Sequence, residues 1–216
     1  MDTSLKSLES LYLKGDYTSA IELQKNMGES FSSGHLYYNL GSLNLKKGDF
    51  AAGRYYLELA KMHGFNPNLV AHNLSVAKKN LEVKEIGLDD NFLGNSINFA
   101  LEASGANYLT LTLLLALISL LFWKFKIVKN KLLIFGFLLI SIFPYSFYQF
   151  YITNIKFAVS LDVTEIYEGP SGIFSKIGSV RPGEKVLIGE ESNDWLYITY
   201  PKNLNGWIIK TKVGIL

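Results

Sequence analysis

The sequence predicts a multidomain membrane protein in three parts: an all-α solenoid of helical repeats, a two-helix transmembrane hairpin and a small all-β barrel. Three observations predict it. Two uncharged apolar runs, 105–123 and 132–152, occupy the middle of the 216 residues. Before them a Gly-Asp-aromatic break recurs after 33 residues, as Gly15-Asp16-Tyr17 and Gly48-Asp49-Phe50. After them come short alternating runs punctuated by Gly and Pro, the pattern of strands and tight turns.

In residues 1–87, Leu5, Leu8, Leu11 and Tyr12 recur at helical spacing until the first break. Tyr17, Ala20, Ile21 and Met27 mark a second helix. Leu36, Tyr37, Leu40, Gly41 and Leu43 precede the second break, and Phe50, Gly53, Leu57 and Ala60 follow it. Two helices per unit of 33–34 residues is the signature of a solenoid. Ala20, Gly41, Gly53 and Ala60 are placed where paired helices approach closely, with Tyr37, Leu40 and Phe50 filling the space between. Asn66 as N-cap and Pro67 at the first helical position open a third helical segment. Its stripe is Val70, Leu74, Ala77 and Leu81, and Gly87 ends it.

Tyr37-Tyr38-Asn39-Leu40-Gly41, followed by Gly48-Asp49-Phe50 and Ala60, resembles the tetratricopeptide repeat. The match is fuller in the second unit than in the first, and Gly53 stands where that family usually has Ala. The resemblance implies a concave peptide-binding surface and places Tyr38, Leu45, Lys46, His72, Val76 and Lys79 on or near it. Two repeats and a capping helix are equally suited to packing on a partner subunit. His35, His63 and His72 form no metal-ligand spacing, and Asn73-Leu74-Ser75 matches a glycosylation sequon that a helical stripe explains more simply.

Residues 88–104 place Phe92, Leu93, Ile97, Ala100 and Leu101 on one helical face. This is an interfacial helix or a plain linker leading into the hairpin. Each uncharged run of 105–152 matches the ~20 residues that cross a hydrocarbon core of about 30 Å. The alternative is a buried hairpin in a soluble protein. Tyr108, Trp123, Tyr145, Tyr148 and Tyr151 take positions typical of interfacial aromatics, and Pro144 bends the second helix or marks its exit. Lys124, Lys126, Lys129 and Lys131 crowd the connection 124–131, whereas 89–107 carries no Lys or Arg. The excess of positive charge puts the connection in the cytoplasm and both arms on the outer, periplasmic face of the inner membrane. The opening MDTSLKSLES has no basic segment followed by an apolar one, so either a leader lies upstream of Met1, the preferred expectation, or the orientation is the reverse.

Residues 156–216 read as five strands, around 157–159, 165–167, 185–188, 195–200 and 206–209. The landmarks Val163 to Tyr167, Gly169-Pro170-Ser171, Pro182-Gly183-Glu184-Lys185-Val186, Asp194-Trp195 and Gly206-Trp207-Ile208 resemble the bacterial SH3 domain. That resemblance implies a ligand face for wall peptides or proteins with Tyr167, Trp195 and Trp207 as candidates; core packing of Trp195 and Trp207 is the alternative.

Overall charge is near balance, with 21 basic and 19 acidic residues and no basic face, which argues against nucleic-acid binding. With no cysteine there is no disulfide or thiol chemistry. No phosphate loop, nucleophile elbow or paired-carboxylate frame is present, so the expected function is non-enzymatic, with no cofactor and no metal. The order of parts as a whole resembles the BatE family of the Bacteroides aerotolerance operon. That resemblance implies an envelope complex with Bat membrane proteins carrying von Willebrand factor A domains, and indirectly a MoxR-type AAA+ ATPase. It links the chain to oxidative-stress tolerance and envelope integrity. The competing expectation is a peptidoglycan-sensing or wall-remodelling factor.

Overall fold

A computed structural model describes residues 2–28, 31–83, 103–126 and 130–216. The expected interfacial helix of 88–104 falls almost wholly outside them, as do Gly87 and Lys129.

Five helices come first: α1 (Asp2–Leu13), α2 (Tyr17–Asn26), α3 (Ser33–Lys47), α4 (Phe50–Met62) and α5 (Pro67–Leu81). The repeated break is a repeated cap. Gly15 and Gly48 sit at φ +76° and +90°, a region that costs other residues strain. Asp16 then accepts from the Ser19 amide at 3.1 Å, and Asp49 from the Ala52 amide at 3.0 Å, satisfying helix-end donors. Asn66 caps α5 in the same way, accepting from the Asn68 and Leu69 amides, with Pro67 at its first position. The expected end at residue 87 is corrected: α5 stops at Leu81, with Glu82 in the left-handed conformation.

Glycine sets the distance between α3 and α4. A Cβ on Gly41 would lie 2.7 Å from Leu57 Cγ, and one on Gly53 would lie 2.6 Å from Leu45 Cδ2. Ala20 and Ala60 are likewise wholly buried, while Leu40 joins the core with Ile21 and Leu43. Leu57, Ala60, Val70 and Leu74 form the next layer, against Tyr37, Tyr38 and Phe65.

The apolar middle forms α6 (Gly105–Lys124), then α7 (Lys131–Ser141) and α8 (Phe143–Phe150). Two helical segments are long and apolar enough to cross a membrane, Gly105–Lys124 and Lys131–Asn154. Their side chains point largely outward, unlike those of a buried soluble hairpin; Leu113, Leu117, Phe135 and Ile140 are all more than half exposed. The second helix is interrupted at Ile142, two residues before Pro144, whose ring is incompatible with an unbroken ladder. The Tyr145 amide next to this break donates to Thr112 Oγ1 of α6 at 3.1 Å, so a backbone donor that lipid could not satisfy finds a partner. Ser119 and Ser141 are buried and bond to carbonyls of their own helices.

The last segment is a seven-stranded antiparallel sheet of order β3-β2-β6-β5-β4-β1-β7. Its strands are β1 (Lys156–Ser160), β2 (Thr164–Tyr167), β3 (Lys176–Val180), β4 (Lys185–Ser192), β5 (Trp195–Tyr200), β6 (Gly206–Ile209) and β7 (Val213–Ile215). Sequence periodicity finds five of these. It misses the two edge strands: β3 carries Gly178 and Ser179 at its centre, and β7 is three residues long. The core is Ala158, Ile166, Val180, Val186, Ile188, Leu196, Ile198, Ile208 and Val213.

Composition separates the helical arm from the sheet, but contacts join them. Helices α1–α5 and the sheet form one compact unit, and α6–α8 form a second. Within the first unit, Arg54 of α4 is fully buried and donates through NH1 to the Gly183 carbonyl at 2.9 Å. Glu58, one turn on, receives Lys185 Nζ at 3.2 Å, and that ammonium lies 4.8 Å from the centre of the Phe157 ring. Leu81 abuts Gly183 and Tyr55 abuts Gly214, each so closely that a Cβ on the glycine would fall within 2.4 Å of the neighbouring side chain.

Candidate functional site

Two surfaces of the first unit gather the predicted residues. On the helices, Tyr38 is half-buried, its ring stacked on Phe65 with centroids 4.4 Å apart. Asn73 of α5 donates to the Tyr38 hydroxyl at 3.3 Å and to the Ser42 hydroxyl at 3.1 Å, tying α3 to α5. Leu45 lies against the face of Gly53 and packs in the core layer, so it is a packing residue in this fold. Lys46, in the last turn of α3, and His72, Val76 and Lys79 on α5 are exposed. Of the six helical candidates, only Tyr38 belongs to a hydrogen-bonded constellation among the described residues.

Beside Tyr38 runs a groove between α1 and α3, with Leu5, Leu8 and Tyr12 on one wall and Tyr38 and Ser42 on the other. Gln24 of α2 lines it from below. The Gln24 side chain is fully buried, and neither its Oε1 nor its Nε2 has a hydrogen-bond partner among the described residues. Sequence reading passes over Gln24 and Ser42 and meets Asn73 only within a sequon pattern, because a polar residue within a helix carries no signal until the fold shows what faces it. The i, i+4 spacing of Tyr38 and Ser42 is the one clue, since it puts both on the same helix face.

On the sheet, strand alternation separates two faces. Ile166, Leu196, Ile198 and Ile208 point into the core. Tyr167, Trp195, Tyr197 and Trp207 alternate with them and share the other face. The rings pair edge to face: Tyr167 with Trp195 at 5.2 Å, and Tyr197 with Trp207 at 5.3 Å. The three predicted aromatics are therefore brought together, with both tryptophans half-buried outside the core cluster. Tyr167 itself is nearly covered and donates its hydroxyl to Glu165 Oε2 at 2.7 Å, while Lys176 pairs with the other oxygen of Glu165. The Lys176 hydrogen bond, with help from Tyr167, holds the Glu165 carboxyl below its ordinary value; the same Glu165 bond raises Tyr167. The surface is thus an aromatic strip edged by one neutralised ion pair, suited to stacking and apolar contact rather than to proton transfer.

Compared with protein-family models, curated proteins and solved structures, the chain matches none.

Proposed function

We propose that this protein is a non-enzymatic scaffold of the bacterial inner membrane, holding partner proteins through its helical arm and its barrel. The observation that carries this reading is the construction of the first unit. Segments from the two ends of the chain are locked into one body, attached at both ends to two apolar helices. In this reading α1–α4 are two tetratricopeptide-type repeats capped by α5, and the sheet is a bacterial SH3-type barrel. Supporting it are the paired Gly-Asp caps, the small-residue contacts at Gly41 and Gly53, and the short antiparallel strands. The unit lies on the periplasmic side, the lysine-rich connection in the cytoplasm. The partners are Bat-type membrane proteins with von Willebrand factor A domains, and through them a MoxR-type ATPase, in a system serving aerotolerance and envelope integrity.

The test is co-recovery from cross-linked membranes of a co-expressed membrane protein carrying a von Willebrand factor A domain. Replacing exposed His72, Val76 and Lys79 together with Glu leaves α5 folded and reduces recovery, with the variant still in the membrane fraction. Undiminished recovery from this variant and from Trp195→Ala/Trp207→Ala counts against the scaffold.

The aromatic face outside the core favours one second reading, a barrel that binds wall peptide or glycan. Co-sedimentation of the detergent-solubilised full chain with purified peptidoglycan decides it. Binding lost in Trp195→Ala/Trp207→Ala supports this reading, and no sedimentation of the intact chain removes it.

A further inference from the structure

We propose that a cavity between α2, α3 and α4 binds a free α-amino acid with an apolar side chain, held by both of its charged groups. The cavity has a volume of about 320 Å³, at the small end of the roughly 300–1,000 Å³ typical of small-molecule sites. Tyr38, Leu45, Lys46, His72, Val76 and Lys79 all lie outside its lining, and the assignment is independent of the scaffold reading. Helical spacing builds it. Thr18, Ile21, Glu22 and Lys25 follow one another at i, i+3, i+4 and i+7, so one stripe of α2 faces it. Asn44 and Lys47 lie one turn apart at the end of α3, and Asp49 is the cap that follows. Tyr55 and Tyr56 come from α4, and Leu161 adds a wall from the connection between β1 and β2.

One side chain points to a ligand. Asn44 is only 5% exposed, and its Nδ2 donates to the Leu40 carbonyl at 2.7 Å, but its Oδ1 has no partner among the described residues. A buried acceptor left unmet is unfavourable until a donor arrives, and Asn44 lines the cavity. Two further acceptors line the same space. Glu22 is in no ion pair among the described residues, and Asp49 commits Oδ1 to the Ala52 amide and keeps Oδ2. Three acceptors around one space suit an ammonium, which has three hydrogens to donate and accepts none. Opposite in sign are Lys25 and Lys47, also in no ion pair among the described residues, which suit a carboxylate. The four charges cancel, so a zwitterion is matched where a plain anion or cation would leave one pair uncompensated. Ile21, Leu161 and the half-buried rings of Tyr55 and Tyr56 supply apolar wall, which selects an apolar side chain. Because that wall joins α2 and α4 to the β1–β2 connection, an occupant also fastens the helices to the sheet.

The experiment titrates the detergent-solubilised full chain with L-leucine and L-phenylalanine by calorimetry, and follows the melting temperature at saturating amino acid. Both are expected to bind and to raise the melting temperature, because they bind the folded state alone. N-acetylleucine, which lacks the ammonium, and leucinamide, which lacks the carboxylate, bind at least about tenfold more weakly. Glu22→Gln and the pair Lys25→Gln/Lys47→Gln, all at exposed positions, each weaken leucine about tenfold and leave the melting temperature of the unliganded chain unchanged. Asn44→Leu removes the buried acceptor and weakens leucine comparably. Absence of binding by either amino acid overturns the proposal. So does equal binding of the two blocked analogues, or unchanged affinity in the Glu22 and double-lysine variants. Phosphoethanolamine, the same pair of charges as a lipid headgroup presents them, is titrated alongside. Binding of phosphoethanolamine without leucine or phenylalanine overturns the amino-acid assignment.

Discussion

Two buried polar side chains, one on α2 and one on α4, behave in opposite ways. Gln24 is unmet, whereas Arg54 on α4 is engaged with the Gly183 carbonyl and packed beside Glu58, with Nε–Oε1 at 3.8 Å. A buried guanidinium is tolerated when its neighbours neutralise it and take its hydrogens, and removing it strands them. Arg54→Ala should therefore cost about 3 kcal/mol, against roughly half as much for the space-filling Arg54→Met. Thermal unfolding of the solubilised chain checks this, with a fall on the order of 10 °C for the alanine variant. An alanine variant that melts with the parent would show that the seam contributes nothing. Neither residue stands out in the sequence. Arg54 follows Gly53 on a helix with an ordinary amphipathic pattern, and its partner lies 129 positions away. By contrast Gly48, Asp49 and Asn66 were readable, because a cap is decided by neighbours within a few residues, and Gly41 was readable from its place in the repeat pattern.

At the scale of elements, the sheet is stitched by exposed ion pairs as well as by its core. Lys212 reaches Asp162 at 2.8 Å, Lys210 pairs with Glu191, and Lys176 pairs with Glu165. Hydrogen bonds from these lysines hold all three carboxyls below their ordinary values of 3.8 for Asp162 and 4.5 for Glu165 and Glu191. Groups whose pKa falls on folding stabilise the fold above the unfolded value, and that contribution disappears as pH drops through the folded one. The melting temperature should thus be level near neutrality and decline below about pH 4.5, with the decline blunted in 1 M salt because the pairs face solvent. A profile flat to pH 3 would remove these pairs from the account. The same element shows what periodicity cannot reach. Strands β2, β4, β5 and β6 alternate clearly, but β3 exists because β2 offers it an edge, a cause outside its own sequence. Alternation also cannot say which face is inward, and so Trp195 and Trp207 stayed ambiguous until Ile166, Leu196 and Ile198 were seen to fill the core.

For the whole molecule, the apolar middle and the two kinds of arm were legible because length, charge and periodicity act over many residues at once. The lock between the arms was not, since it depends on surfaces that meet only after each has folded. It makes a prediction about topology. A unit assembled from both ends of the chain requires those ends to share one side of any bilayer that α6–α8 cross. Alkaline phosphatase fused after Glu82 or after Leu216 should report the same compartment, and a fusion at Lys126 the opposite one. Unlike reports from the two ends would break either the pair of spans or the lock.

The distance along the chain between Arg54 and Gly183 has a kinetic consequence as well. During synthesis the helices emerge first, and their partner surface arrives only after both apolar segments have been made. Closing a loop of that length adds little extra entropy cost per residue, yet it delays the closure until the end. Once shut, the contact holds segments from the two ends of the chain in one body.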